Sequence, residues 1–419
     1  MKIIADLHIH SKYSRATSKD MNIADIVSWA KLKGINLLGS GDFTHPGWFS
    51  ELKKYLKQIS DFTYEYNEVK FVLTTEVSNI FYRNGKSYRV HNIVFLPDFE
   101  SVEKFNNILQ NYGDLVSDGR PIVSLDCINL VEIVNDITEN SLVVPAHAWT
   151  PHFSVFGSNS GFDTLEECFG KYIGYIRSIE TGLSSDPKMN WRVSKLDKIT
   201  LISNSDAHSP QNLGREANVF EIEDSCKDLY TEVVKIIKNK DKKRFLYTIE
   251  FYPEEGKYHY DGHRICNVCL SPKETKKYKN ICPVCGKRLT IGVMNRVESL
   301  ADREENFVPE NSIPYKNVIP LMEIIAEALS TGKATQKTLN EYNFITTQVG
   351  TEFDVLLEFS EEELKKKINP KVVEGIIKAR NAEVEIFPGY DGEYGKINIC
   401  WDKKYQEVIK QENKQLELF

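Results

Sequence analysis

The reading of the fold turns on the opening of the chain, Lys2-Ile3-Ile4-Ala5-Asp6-Leu7-His8-Ile9-His10. An apolar run of strand length leads into a His-x-His pair. Residues two apart in an extended chain point to the same side, so both imidazoles can face one metal ion. The same pattern, an apolar run ending in His, Asp or Glu, returns down the chain. Strands are expected at residues 2–6, 37–40, 70–75, 92–96, 141–145, 176–180 and 198–203, separated by helical patterns, which is the signature of repeated βα units. In a (β/α) barrel the C-terminal strand ends form one face, so polar residues placed there converge in space.

The histidines follow that logic. Of nine, seven (His8, His10, His45, His91, His147, His152 and His208) fall in the first 250 residues, mostly at or just past strand ends. Asp42 precedes His45, Glu76 ends the third strand, and Asp206 sits two residues before His208. Imidazole with carboxylate is the ligand set of borderline divalent ions such as Zn²⁺ or Mn²⁺, and so many candidates suggest more than one ion.

The ordered motifs Asp6-Leu7-His8-Ile9-His10, Gly41-Asp42-Phe43-Thr44-His45, Thr75-Glu76, His91, Pro145-Ala146-His147 and Ser205-Asp206-Ala207-His208 resemble those of the polymerase-and-histidinol-phosphatase (PHP) superfamily. The resemblance implies an α/β fold, a distorted (β/α)₇ barrel over residues 1–252, holding two or three divalent ions (Zn, Mn or Mg). Carried over by position, His8, His10, Glu76 and Asp206 hold one ion, Glu76 bridges to a second held by His91 and His147, and Asp42 and His208 serve a third. Asp206, His8, His10, Glu76 and His208 are then the catalytic set. Phe43 departs from the family pattern and leaves Asp42 or His45 as the ligand there, with Asp42 favoured. Such ions lower the pKa of a bound water from about 15.7 to about 7 and neutralise phosphate charge, so phosphoester hydrolysis is the expected reaction. The opposing reading is a barrel that keeps a structural ion or none.

Cys266-x-x-Cys269 and Cys282-x-x-Cys285, twelve residues apart, mark residues 253–296 as a four-cysteine zinc ribbon with one structural Zn. Four thiolates would also suit an iron-sulfur cluster. Cys127, Cys168, Cys226 and Cys400 are scattered and read as small buried hydrophobes. The chain carries a formal charge of -7, yet nine basic residues face two acidic ones between Lys257 and Arg296. That local reversal makes Lys276, Lys277, Lys279, Lys287 and Arg288 candidates for nucleic-acid binding, against the alternative of a solvated charged surface.

Residues 315–400 read as a mostly helical domain with a Tyr/Gly turn at Pro388-Gly389-Tyr390-Asp391-Gly392-Glu393-Tyr394-Gly395. Residues 405–419 form a polar tail, and its end, Gln415-Leu416-Glu417-Leu418-Phe419, resembles the bacterial sliding-clamp-binding motif, with Gln415, Leu416, Leu418 and Phe419 as the anchors. No apolar run reaches the length of about 18 residues that spans a bilayer, and Met1-Lys2 leaves no room for a leader, so a cytoplasmic protein is expected.

The parts together resemble a family of lesion-directed DNA-repair endonucleases. That implies cleavage on the 5′ side of uracil, hypoxanthine, xanthine and abasic sites, leaving 3′-hydroxyl and 5′-phosphate ends. Reading a base requires extruding it from the duplex, and the expected loops 79–90 and 149–162 supply Phe81, Tyr82, Trp149, Phe153 and Phe156 as candidate pocket walls, with ordinary loop packing as the alternative. Two other functions stand beside this one: a phosphatase of small monoesters, and a non-catalytic clamp-bound adaptor.

Overall fold

The computed structural model describes residues 1–401. Its centre is a mixed sheet of eleven strands. Lys2–Asp6 runs parallel to Leu37–Gly39, with Ala5 opposite Leu37. Leu37–Gly39 runs parallel in turn to Val69–Arg83. On the other side Lys2–Asp6 pairs antiparallel with Ala217–Glu221, which continues to Phe245–Glu250 and Tyr315–Asn317. Ile3, Ala5, Leu37 and Leu38 are almost wholly buried, as expected of strands covered on both faces. Helix Ile23–Lys33 supplies part of that cover through Ile23, Ile26, Val27 and Ala30, which recur at helical spacing. Its start is fixed by Asn22, whose side chain accepts from the Asp25 N–H.

The α/β character matches the sequence reading, but several connections differ. Ser178–Glu180 and Thr200–Ile202 form a parallel pair of their own, and among the described residues the large ladder does not close on itself. Antiparallel hairpins replace some of the expected βα units. The most consequential is Val69–Arg83 with Lys86–Leu96, paired without interruption from Leu73↔Leu96 to Arg83↔Lys86. Residues 79–90, expected as a loop, are therefore mostly strand. The turn is Asn84-Gly85, both at positive φ (52° and 77°), the combination that a tight hairpin turn demands. Leu142–Pro145 adds to the outer edge of this hairpin.

The cysteine-bearing segment is a small module with its own core of Val268, Cys282 and Leu289. Helix Val293–Leu300 follows it and buries Val293 and Val297 in the main core. Arg296 reinforces the junction by donating to the carbonyls of Phe156 and Phe162. A third core gathers Leu321, Ile324, Ile325, Tyr342, Val372, Ile376 and Trp401 around helices Leu321–Ala328, Gln336–Phe344 and Pro370–Arg380. This core is tied to helix Ile23–Lys33 by a buried Lys33–Glu352 ion pair at 2.9 Å. The Tyr/Gly turn joins it to the cysteine module: the Tyr390 hydroxyl donates to Asn267, and Asp391 accepts from the Arg264 N–H. Among the described residues, no helix is long and apolar enough to cross a membrane. The clamp-type anchors Gln415, Leu416, Leu418 and Phe419 lie outside the described residues.

Candidate metal centre

Two motifs distant in sequence are laced together by backbone. The His10 N–H donates to the Ala207 carbonyl at 3.0 Å, and the Asp206 N–H donates to the His8 carbonyl at 3.0 Å. This brings His8, His10 and Asp206 to one point. Glu76 arrives from the middle of its strand, and His91 from the strand beside it.

Glu76 is the hinge of the arrangement. Its Oε2 lies 3.2 Å from His10 Nε2 and 3.6 Å from His8 Nε2. Its Oε1 lies 2.7 Å from His91 Nδ1 and 3.0 Å from His147 Nε2. Asp206 Oδ1 completes the first group at 3.0 Å from His10 Nε2. The side chains thus form two ligand clusters, His8/His10/Glu76/Asp206 and Glu76/His91/His147, each with all its donor atoms within 4.8 Å of one another.

The donor atoms fit divalent ions. His8 Nε2, His10 Nε2 and Asp206 Oδ1 are buried yet lack a hydrogen-bond partner, a costly state for polar atoms unless something else meets them. Behind them, Glu180 accepts from His8 Nδ1 at 3.0 Å, from the His147 N–H and from Asn204. Asp42 does the same for His10 Nδ1 at 3.0 Å. Carboxylates on the far nitrogens fix tautomer and ring direction, which turns each Nε2 toward the shared point.

Electrostatics carry the same imprint. Burial alone would raise the Glu76 carboxyl, but the charges of Arg120 and His8 and the hydrogen bond from His10 hold it well below the usual carboxylate range. Burial pushes His91 down to about 4, so this imidazole is neutral and ready to ligate. His8 and His10 resist burial and sit well above the usual imidazole value, because Glu180 and Glu76 face the first and Asp42 and Asp206 the second.

Several sequence expectations are corrected. Asp42 and His208 belong to neither of the two ligand clusters. Both Asp42 oxygens are committed, one to His10 and the other to the Ser11 N–H and the Ser11 and Ser14 hydroxyls. His208 Nδ1 donates to the Asp206 carbonyl, and its ring lies tilted against that of His10 with the centroids 4.5 Å apart. His45 is no ligand either: its Nδ1 caps helix Pro46–Tyr55 by accepting from Gly47 and Trp48, and its Nε2 donates to the Val116 carbonyl.

Of the pocket aromatics, Phe81 is stacked inward with Tyr88 and Phe162. Trp149 is 1% exposed and its indole donates to Asn190, while Phe156 packs on Trp149. All three are core. Phe153 alone touches the centre, its ring 4.8 Å from that of His91, with the Arg89 guanidinium 5.6 Å from its face. Tyr82 is 79% exposed near the hairpin tip. The register puts the pairs Ile80/Arg89 and Tyr82/Ser87 on the face that carries Glu76 and His91.

In the cysteine module the structure gathers His263, Cys266, Cys282 and Cys285. Cys269, expected as the fourth ligand, is elsewhere, its Sγ directed at the Pro388 carbonyl. The strand register explains this. Gly262 lies opposite Cys269 and His263 opposite Val268, so His263 and Cys269 point to opposite faces. Three thiols and one imidazole suit zinc as well as four thiols do. Lys276, Lys277, Lys279, Lys287 and Arg288 are all exposed on this module, with Lys276 3.3 Å from Glu298.

Besides His263, two residues of the His/Glu/Asp centre escaped the sequence reading. Glu180 ends an expected strand, and its carboxylate at that place was the available signal. Arg120, whose Nη1 donates to Glu76 Oε2 at 3.1 Å, lies in a connecting segment with no pattern to single it out.

The chain is 33% identical to the lesion-specific endonuclease PfuEndoQ from Pyrococcus furiosus, whose crystal structure matches it with a TM-score of 0.85 over 97% of this chain and 99% of that one. An endonuclease Q structure in complex with a 27-mer duplex bearing an abasic lesion at its active site matches with a TM-score of 0.83 and 33% identity over 98% of each chain. The chain belongs to the endonuclease Q family.

Endonuclease Q membership makes the chain an enzyme of the metal-dependent phosphodiesterase class. Among curated relatives, the uncharacterized protein YqxK of Bacillus subtilis (strain 168) is 30% identical over 410 residues, covering 94% of this chain and 99% of YqxK. The uncharacterized protein MJ0043 of Methanocaldococcus jannaschii is 32% identical over 293 residues, covering 69% of this chain and 36% of that longer protein. The family described as the MJ0043 C-terminal domain matches residues 320–383. The endonuclease Q likeness therefore extends through the helical region as well as the metal centre.

Proposed function

We propose that this endonuclease Q homologue hydrolyses DNA on the 5′ side of deaminated bases (uracil, hypoxanthine, xanthine) and of abasic sites, leaving 3′-hydroxyl and 5′-phosphate ends. The observation that carries the reading is the division of the Glu76 carboxylate between two ligand clusters in a chain that matches lesion-specific endonucleases from end to end.

His8, His10, Glu76 and Asp206 would hold one divalent ion, and Glu76, His91 and His147 a second. Ions bound there supply a Lewis acid beside the phosphorus and lower the pKa of a water molecule. The chain's own groups do the rest. Glu180 and Asp42 keep His8 and His10 aimed. The rigid backbone lacing of residues 8–10 to 206–207 preorganises the centre and costs nothing at the moment of reaction. The exposed Lys277, Lys279, Lys287 and Arg288 grip the DNA backbone without reading sequence. Phe153, packed against His91, and Tyr82, on the hairpin face that leads out of the centre, meet the extruded nucleotide, whose flipping is cheapest where pairing is already lost.

End-labelled duplexes carrying one uracil, hypoxanthine or abasic site, incubated with Mn²⁺ or Mg²⁺, test the reading. A single nick 5′ of the lesion, abolished by chelation and restored by added metal, is expected. Release of phosphate from small monoesters with no nick would replace it with the phosphatase reading.

A further inference from the structure

Arg120 is a cation among groups that gather cations, and metal ligation alone gives it no reason to be there. A guanidinium beside a carboxylate that would serve two divalent ions would repel both of them and compete for the Glu76 oxygens. Yet the segment that delivers it is held firmly. The Asp118 carboxylate accepts from the N–H groups of Arg15 and Arg120. The Gly119 N–H donates to the Tyr13 carbonyl, its carbonyl accepts from the Thr44 hydroxyl, and the Ser78 N–H donates to Pro121. A side chain at Gly119 would lie 2.3 Å from an Asp42 oxygen and 2.4 Å from the Ser14 hydroxyl, so only glycine lets the segment come this close. The side chain that follows keeps 26% of its surface open to the cleft. Of its five N–H donors, one is spent on Glu76, and those turned to the cleft meet no other acceptor among the described residues.

We propose that Arg120 is the anion-binding residue of the centre, holding a non-bridging oxygen of the scissile phosphate. The inference rests on the phosphodiesterase reading above. Charge arithmetic supports it. Two divalent ions and Arg120 carry five positive charges against the four carboxylates Glu76, Asp206, Glu180 and Asp42. One positive charge is left over, the complement of one phosphodiester, and the pentacoordinate transition state brings a second negative charge that the guanidinium meets with preset donors. Arginine suits the task because its charge is permanent and its planar fork matches phosphate oxygens.

Arg120→Gln and Arg120→Lys, loaded with Mn²⁺, are compared with the parent protein in three measurements: hydrolysis of bis(p-nitrophenyl) phosphate and of a lesion duplex, Mn²⁺ stoichiometry, and calorimetric binding of inorganic phosphate. Expected for Arg120→Gln are a kcat lower by roughly 10²–10³-fold, an unchanged ion count, phosphate binding weakened at least about tenfold, and partial recovery of hydrolysis with added guanidinium ion. Arg120→Lys should fall between, since lysine keeps the charge and loses the fork. Loss of Mn²⁺ in step with activity would overturn the proposal and leave Arg120 as the counterion of Glu76. So would unaltered phosphate binding. A parent protein that hydrolyses the small diester but nicks no lesion duplex would instead remove the DNA reading, and the phosphate-binding comparison would still decide Arg120.

Discussion

Asp42 shows how far a single residue can be read from a chain and where that reading stops. Its residue type and its place after a strand marked it as part of the centre, and it is there. What the sequence could not supply is which side of His10 it occupies, because that depends on the hydroxyls of Ser11 and Ser14 filling its second oxygen. Glu180 plays the same part for His8, and Glu180→Gln should weaken Mn²⁺ binding by about 10–100-fold while the protein stays folded, as read by isothermal titration. An unchanged affinity would remove its orienting role. A different buried acid reports on stability. Burial, then the charge of Asp186, raises the Glu250 carboxyl from 4.5 to about 8, and its Oε1 is buried without a partner. The folded protein therefore binds this proton more tightly than the unfolded chain does, and stability falls as pH rises from about 4.5 through about 8. Glu250→Gln, which mimics the protonated form, should match the parent in urea at pH 5 and exceed it at pH 9 by up to about 5 kcal/mol. Parallel pH profiles for the two proteins would contradict this.

At the scale of elements, the long hairpin was the largest departure. Its strands beyond residue 75 and before residue 92 were hidden by aromatic and charged residues that read as loop, although Asn84-Gly85 is a strong hairpin signal between them. Pairing over the whole length matters for function because it carries the Glu76/His91 face outward to Arg89 and Tyr82. The parallel strand Lys2–Asp6 was legible because burial on both faces leaves an unbroken apolar run, whereas Ala217–Glu221 and Phe245–Glu250, which also belong to the sheet, were missed. In the cysteine module, spacing suggested four thiols, but a two-strand register decides which side chains face inward, and spacing does not encode register. His263→Ala should therefore hold one zinc fewer per chain than the parent, and Cys269→Ser should keep the parent's zinc count by elemental analysis. The reverse pattern would restore the four-cysteine site. Cobalt substitution separates the two chemistries again, since a site with three thiolates absorbs less strongly in the charge-transfer region than a site with four.

The whole molecule places a phosphoester centre, a basic metal module and a helical region on one chain, braced by Lys33–Glu352 and by the Tyr390 turn. Substituting Lys277, Lys279, Lys287 and Arg288 together by Ala should weaken DNA binding about equally for lesion and intact duplexes and flatten its salt dependence by up to about four counterions, with hydrolysis of a small diester unaffected. A selective loss for lesion DNA would assign those residues a reading role instead. Glu76 shared between two ions is the arrangement on which the chemistry turns. Anomalous diffraction from crystals soaked in Mn²⁺ should show two peaks flanking the Glu76 carboxylate, one against His8, His10 and Asp206 and one against His91 and His147. A single peak, or none within coordination distance of Glu76, would contradict it.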